Sequence, residues 1–154
     1  MAFRIRGLPA EDFNHWFALT DGELALQAVR RCTADAAHAF PCRISLTDAQ
    51  VGDEVLLINH EHLPVDSPYR SRHAIYVRAG EQTCDTVDTV PDMLRRRLLS
   101  LRAFDDAGMM TGCDVVEGGD VERVIADLFA DPKAAYLHVH FARPGCYAAR
   151  IERA

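Results

Sequence analysis

The sequence predicts an α+β fold in a single domain, residues 1–154, with a mostly antiparallel, curved sheet and about four helices packed on it. Helix patterns and strand patterns occur in separate runs, and successive strands are joined by hairpin turns instead of helical crossovers. The chain of 154 residues contains no internal repeat and no linker that would divide it. The pattern does not decide whether the sheet closes into a partial barrel, and it predicts no oligomeric state.

The first thirty residues predict a strand followed by two helices. The opening FRIRGL fits a short strand, and PAEDFNHWFAL fits a helix in which Phe13, Trp16 and Phe17 form one apolar stripe. The segment TDGE has the pattern of a capping box, in which a threonine and a glutamate satisfy each other's backbone amides. A second helix is therefore expected over residues 21–30.

Residues 32–80 have the pattern of a β region. The segments PCRISL, EVLLINH and HAIYVR are short, rich in branched residues and bounded by turn-forming residues. Between the last two strands lies EHLPVDSPYRSR, which contains two prolines and lacks apolar periodicity. This segment is expected to be a long loop, and loops of that length are often functional.

The second half predicts two helices and two hairpins. VPDMLRRRLL fits a short helix, in which the arginine run near the C-terminus suits the helix dipole and competes with an RNA-binding interpretation. SLRAFDDAGMMTGCDVVEG predicts two strands joined at DDAG. A helix is expected after Asp120 and is ended by Pro132, because its apolar residues recur at helical spacing. A final hairpin closes the chain.

Composition excludes several classes of protein. The net charge of -6 argues against a nonspecific nucleic-acid binder, which needs a basic surface. No apolar run is long enough to span a membrane, and the N-terminus lacks a secretory signal. The five cysteines include no Cys-x-x-Cys pair and cannot all pair within one chain, so reduced thiols and a cytoplasmic location are expected.

The final hairpin, YLHVHFARPGCYAARIER, carries the main candidate site. Side chains alternate along a strand, so His138 and His140 share one face of the first strand, opposite Leu137, Val139 and Phe141. On the returning strand Tyr147, Ala149 and Ile151 form the more apolar set. If both apolar sets are buried on the same side, the other side carries His138, His140, Cys146 and Arg150.

Three interpretations of this face remain open. His138, His140 and Cys146 offer three ligands for zinc, since His-x-His on a strand presents two imidazoles to one ion. A metal-free pocket would instead bind a carboxylate or phosphate through Arg143 and Arg150. The third interpretation is an ordinary polar face that binds nothing.

The expected loop at residues 60–73 is the second candidate site. His60 and His62 flank Glu61 there, and the loop offers a carboxylate base, a tyrosine donor or further metal ligands to a neighbouring sheet. Its candidate ligand-binding residues are Tyr69, Arg70 and His73. A solvated polar loop explains the same composition.

Three functions follow. The leading hypothesis is a domain that binds, and is able to transform, a small anionic molecule, without a predicted cofactor, with His138 and His140 as catalytic proton carriers and Arg150 and Arg70 as anchors. The second is a zinc-dependent hydrolase or lyase. The third is a noncatalytic protein-interaction domain. A cysteine nucleophile is a weaker alternative, and the phosphate-loop, Gly-x-Ser-x-Gly and His-Glu-x-x-His motifs are absent.

Several long segments resemble a bacterial family described as domain of unknown function 1203. They are FPCRISLTDAQVGDEVLLINHEH, DSPYRSRHAIYVR, RRRLLSLRAFDDAGMM and HVHFARPGCYAARIERA, and they follow one another in the same order over nearly the whole chain. The resemblance implies one stand-alone domain. It implies no activity, cofactor or site residue.

Overall fold

The computed structural model describes all 154 residues and confirms an α+β fold. The chain forms eleven strands, three α-helices and three short 3-10 helices. The strands form two open sheets in place of the one that the sequence predicts.

Sheet A has six strands, all antiparallel, and carries the C-terminal hairpin at its centre. In spatial order its strands are β7 (Asp85–Val87), β1 (Phe3–Arg6), β11 (Tyr147–Arg153), β10 (Tyr136–Phe141), β8 (Leu98–Phe104) and β9 (Met110–Glu117).

Sheet B has five strands and is antiparallel except for one parallel pair, β3 with β6. In spatial order its strands are β2 (Arg30–Thr33), β5 (Glu54–Leu63), β6 (Ser71–Val77), β3 (Pro41–Cys42) and β4 (Thr47–Asp48).

The three α-helices are short, one fewer than the sequence predicts. They are α1 (Asp21–Leu26), α2 (Asp92–Arg95) and α3 (Val121–Phe129). The predicted capping box is present at α1, where Thr20 Oγ1 accepts from the Glu23 amide and the Glu23 carboxylate accepts from the Thr20 amide. None of these helices has the length and apolar character needed to cross a bilayer.

Three predicted helices differ from the structure for backbone reasons. Residues predicted as the first helix form two 3-10 helices, Ala10–Asp12 and Asn14–Ala18, whose amides bond three residues back. Helix α1 ends early because Ala28 has a φ of +57°. The arginine run that was expected at the end of a helix leads directly into β8, since Leu98 onward pairs with the neighbouring strands.

The predicted long loop after EVLLINH is mostly strand. Strand β5 continues through Leu63 and pairs with β6, so the connection is only residues 64–70. The register shifts between His60 and Leu63, which marks a β-bulge. The prolines and polar residues of the segment predict a loop from residue 61 onward, whereas residues 61–63 continue strand β5.

The centre of sheet A is covered on both faces. One face packs with α3 around the main core, which includes Leu99, Leu101, Leu137 and Val139. The other face meets sheet B, whose inner residues form a second core that includes Tyr147 of β11. All six residues of β10 are consequently buried.

Gly7 lies where the chain leaves β1 and passes along residues 43–44. Its amide donates to the Cys84 carbonyl at 2.9 Å, and a Cβ at this position would overlap the carbonyl oxygen of Ile44. Only glycine allows this backbone approach, which joins the end of a sheet A strand to the segment that follows β3.

We expect Gly7→Ala to lower the free energy of unfolding by about 1–3 kcal/mol, because the added methyl group must displace backbone. Urea denaturation followed by circular dichroism measures this change. Gly22→Ala is the matched control, since no atom lies within 4 Å of its Cβ position and the site is in α1. Equal stability of the two variants would contradict the role assigned to Gly7.

Candidate metal centre

Two histidines of β10 point from sheet A towards sheet B. His138 and His140 lie on the face opposite Leu137 and Val139, which belong to the main core. The side chains of His138 and His140 are 2 % and 0 % exposed. The face that carries them is therefore a buried layer between two sheets, so a solvated polar face does not describe it.

Sheet B supplies two more histidines. His73 pairs with His60 across β5 and β6, and His62 lies within the bulge that follows His60. Ile58, His60 and His62 alternate onto one face of β5, and Ile58 belongs to the core that contains Tyr147 of sheet A. The His62 ring faces sheet A, where its Nδ1 lies 3.3 Å from Nδ1 of His138.

The rings of His62, His138 and His140 form a compact cluster, in which one ring nitrogen from each lies within 4.8 Å of the others. His62 also stacks on His73, with ring centroids 4.7 Å apart, and on Tyr147, with centroids 4.8 Å apart. Aromatic neighbours thus fix the plane of the His62 ring. We call His62, His138 and His140 the three-histidine cluster.

Hydrogen bonds fix the protonation of one ring in the cluster. His140 Nδ1 lies 3.0 Å from the Gly145 carbonyl oxygen, which only accepts, so Nδ1 carries the proton and donates it. The lone pair of His140 is therefore on Nε2. That atom is buried and has no hydrogen-bond partner, and the same is true of His62 Nε2.

Burial keeps the three imidazoles neutral. Burial, assisted by repulsion from neighbouring histidines and arginines, lowers the pKa of His62 to about 3, that of His138 to about 2 and that of His140 to about 3. At His140 the hydrogen bond to the Gly145 carbonyl acts in the opposite direction. Neutral imidazole is the form that binds a metal ion. Such low pKa values disfavour the role of proton carrier near neutral pH that the sequence suggests for His138 and His140.

Cys146, the expected third zinc ligand, lies outside the cluster. Its Sγ accepts a hydrogen bond from Arg43 Nη2 at 3.0 Å. The predicted sharing of a face by His138 and Arg150 appears in the strand register, where the two residues pair. Arg150 covers the ring of Tyr136 at 3.8 Å from its centroid and bonds Glu152, and its charge helps to lower the pKa of His138.

The other predicted ligand-binding residues lie at two places. Arg70 is at the surface, where it forms an ion pair with Glu61. Tyr69 is exposed, and its ring contacts the edge of the Phe104 ring. His73 and Arg143 instead line a cleft of about 600 Å³, together with Cys146. The sequence grouped all of these with the hairpin face, and the structure separates them.

Two residues of this region were not predicted as site residues, and a third was predicted on the wrong face. His62 was named only within the loop, although His60-x-His62 repeats the His-x-His spacing of β10. Arg43 was passed over, although a single charge in the apolar segment PCRISL is a sign of a buried ion. Tyr147 was assigned to the opposite face, because a register shift between Val139 and His140 was not foreseen.

Comparison with known families gives one match. Residues 39–153 match the model of a family described as "Protein of unknown function (DUF1203)". The chain belongs to the DUF1203 family. The matched range includes the three-histidine cluster and every residue that lines the cleft except His38, and the resemblance seen in the sequence is confirmed. No curated protein and no solved structure matches this DUF1203 chain.

We expect the metal-free protein to lose stability as pH falls from about 7 to about 5. The three histidines have folded pKa values near 2–3 and an ordinary value of 6.5, so the unfolded chain binds more protons below pH 6.5. The free energy of unfolding then falls by up to about 1.4 kcal/mol per pH unit for each proton. Urea denaturation in the presence of a chelator measures this slope.

Substitution of one ring provides the control for this pH dependence. His62→Gln should reduce the slope, whereas His15→Gln, at an exposed position of the second 3-10 helix, should leave it unchanged. A free energy of unfolding that is constant over the range would contradict the neutral, buried state of the cluster. Carboxylates titrate mostly below this range and contribute little.

Proposed function

We propose that this protein binds a divalent transition-metal ion, with zinc as the best match, through the three-histidine cluster, and that the ion serves hydrolytic or lyase chemistry. The observation that carries the proposal is the convergence of three buried, neutral imidazoles within 4.8 Å. Imidazole is a preferred ligand of zinc. His62 thereby takes the place of Cys146 in the ligand set that the sequence suggested.

Distances within the cluster support tetrahedral coordination. A zinc ion bound at about 2.0–2.1 Å from each nitrogen has ligand-to-ligand edges of about 3.3–3.4 Å. The two Nδ1 atoms of His62 and His138 are 3.3 Å apart, so they already have this spacing. His140 Nε2 must approach to complete the set, and its lone pair is free to do so.

The polar atoms around the cluster also support a bound ion. Leaving a buried imidazole nitrogen without a partner costs about 1–3 kcal/mol, and His140 Nε2, the atom that would bind the ion, is such a nitrogen. A metal ion would remove part of this cost. The bond from His140 Nδ1 to the Gly145 carbonyl matches the outer contact that typically orients a metal-bound histidine.

Three protein ligands favour a catalytic site over a purely structural one. Structural zinc sites usually have four protein ligands, whereas catalytic sites have three and leave the fourth position to water or substrate. A zinc-bound water has a pKa near 7, which yields a nucleophile or base at neutral pH. His73 stacks on His62 and has a buried, unpartnered Nδ1, so it is placed to exchange a proton with such a water.

We expect protein produced without a histidine tag to bind one zinc ion per chain. His62→Gln and His140→Gln should each retain less than about a tenth of that metal. Loss of a residue that only hydrogen-bonds a ligand weakens metal binding about 10–100-fold, and loss of the ligand itself is expected to weaken it more. Elemental analysis after zinc incubation and gel filtration measures the content.

His15→Gln is the matched control for zinc content, since this exposed histidine lies next to Trp16 and far along the chain from the cluster. It should bind as much zinc as the unmodified protein. Circular dichroism checks that each variant is folded. The proposal would be overturned if the wild-type protein contained no zinc after the incubation, or if all variants contained the same amount.

Zinc should also stabilise the fold. An ion present at a hundred times its dissociation constant adds about 2.7 kcal/mol if it binds only the folded state. For a chain of this size we expect the melting temperature to rise by several degrees, and to return when a chelator is added. No zinc-dependent rise should occur in His140→Gln, and a rise of the same size there would place the zinc elsewhere.

We also propose that the protein works in the cytoplasm, on a small molecule, without a nucleic-acid partner. All five cysteines are free, which suits a reducing compartment. The net charge of -6 supports the absence of nucleic acid from the proposal.

A further inference from the structure

A cleft of about 600 Å³ lies beside the three-histidine cluster and is rich in arginine. Four guanidinium groups line it, with Glu117 as the one carboxylate among its lining residues. The arginines are Arg43, Arg96, Arg97 and Arg143. A concentration of one charge in a concave site raises the local concentration of ligands of the opposite charge.

Arg43 is the residue of this cleft that most needs explanation. This residue is 1 % exposed, and no carboxylate lies within 4.0 Å of its guanidinium, although fourteen arginine–carboxylate contacts occur elsewhere in the molecule. Its Nε donates to the Tyr147 carbonyl at 2.8 Å, Nη1 donates to the Pro41 carbonyl and Nη2 donates to Cys146 Sγ. All three partners are uncharged groups or a thiol, so the guanidinium charge lacks a carboxylate counter-ion.

Arg43 retains donors for a ligand. A guanidinium has five N–H groups, of which three are used here, so Nη1 and Nη2 each retain one. A buried charge without a counter-ion is costly, and an anion bound beside it reduces that cost. The two terminal nitrogens also match the two oxygens of a carboxylate or phosphate.

The other arginines of the cleft differ in whether a carboxylate neutralises them. Arg97 is balanced by Asp48 through two of its nitrogens, and Arg96 has one loose contact with Asp92 at 3.9 Å. Arg143 is exposed on the turn between β10 and β11 and has no ion pair. Arg43 and Arg143 are therefore the two unpaired cations of the cleft, and together they outweigh Glu117.

We propose that this cleft binds a small organic molecule through a carboxylate or phosphate group, which Arg43 holds at the floor and Arg143 holds at the rim. The volume is within the range of small-molecule sites. Phe141, Leu57 and Tyr76 supply apolar walls for the body of the ligand. Arg43 and Arg97 lie 4.9 Å and 5.0 Å from the centroid of the Phe141 ring, which holds that wall in place.

His73 connects the cleft with the metal centre. It lines the cleft, and its ring stacks on that of His62 at 4.7 Å between centroids. The anion is then the substrate class of the metal site, a step that rests on the function proposed above. Binding of the anion itself depends only on the arginines and does not require the metal.

The test measures binding of benzoate, phenyl phosphate and benzyl alcohol to chelator-treated protein by isothermal titration calorimetry. We expect one of the two anions to bind and the neutral alcohol not to bind. The anion that binds identifies the preferred group as carboxylate or phosphate. Arg143→Ala should weaken binding of that anion about tenfold or more, since a hydrogen bond to a charged group is lost. Arg143→Lys should retain part of the affinity, because lysine keeps the positive charge but cannot donate the two parallel hydrogen bonds of a guanidinium group.

Arg123→Ala is the matched control, an exposed arginine of α3 that does not line the cleft. It should bind the anion within about twofold of wild type. No binding of either anion to folded protein, or equal loss in Arg143→Ala and Arg123→Ala, would overturn the anion site.

Zinc content of the same samples separates this proposal from the metal site. Arg143→Ala should keep its zinc, and His62→Gln should keep its anion binding. Loss of anion binding in folded His62→Gln would overturn the placement of the anion in the cleft. A protein that binds the anion but takes up no zinc would leave the cleft intact and refute the metal centre alone.

Discussion

The burial of β10 on both faces is the constraint on which the rest of the structure depends. Its main-core face is satisfied by apolar packing alone. The opposite face presents His138 and His140 to sheet B, where polar nitrogens lack water and need partners. Sheet B contributes His62 and His73 beside its apolar core, so both sheets place imidazoles in one layer. The interface between the sheets is thus specified by polar groups as well as by shape.

Charge is distributed unevenly around this interface. The imidazoles nearest one another are neutral, because burial and mutual repulsion keep protons off them. Full positive charge lies at Arg43, which is equally buried and is fixed by the Tyr147 carbonyl. Tyr147 also stacks on His62, so one residue contacts both the neutral cluster and the cationic cleft. This division suits a centre that keeps lone pairs available inside while attracting anions from outside.

Alternation along a strand predicted much of this site, and a register shift and a strand end interpreted as a loop account for the rest. Period-two alternation correctly places His138, His140 and Arg150 on one side of sheet A. It fails at Tyr147, which lies beside a register shift that adds a residue to one strand. Such shifts depend on how two strands fit together, which is a property of the assembled sheet and is not visible in either segment alone. His62 was missed for a different reason, because the end of β5 was interpreted as a loop. The helix that contains the arginine run was overestimated for a similar reason, because residues from Leu98 onward pair with neighbouring strands.

The bulge at the end of β5 has a consequence for how the molecule assembles. His62 and His138 are 76 positions apart in sequence, and each belongs to a different sheet. Neither sheet alone holds more than two members of the cluster, so no complete ligand set exists until the sheets have docked. An ion that needs all three rings would bind after that docking step and would hold the two halves together from then on. Metal supply would then act on the lifetime of the docked state more than on the formation of either sheet.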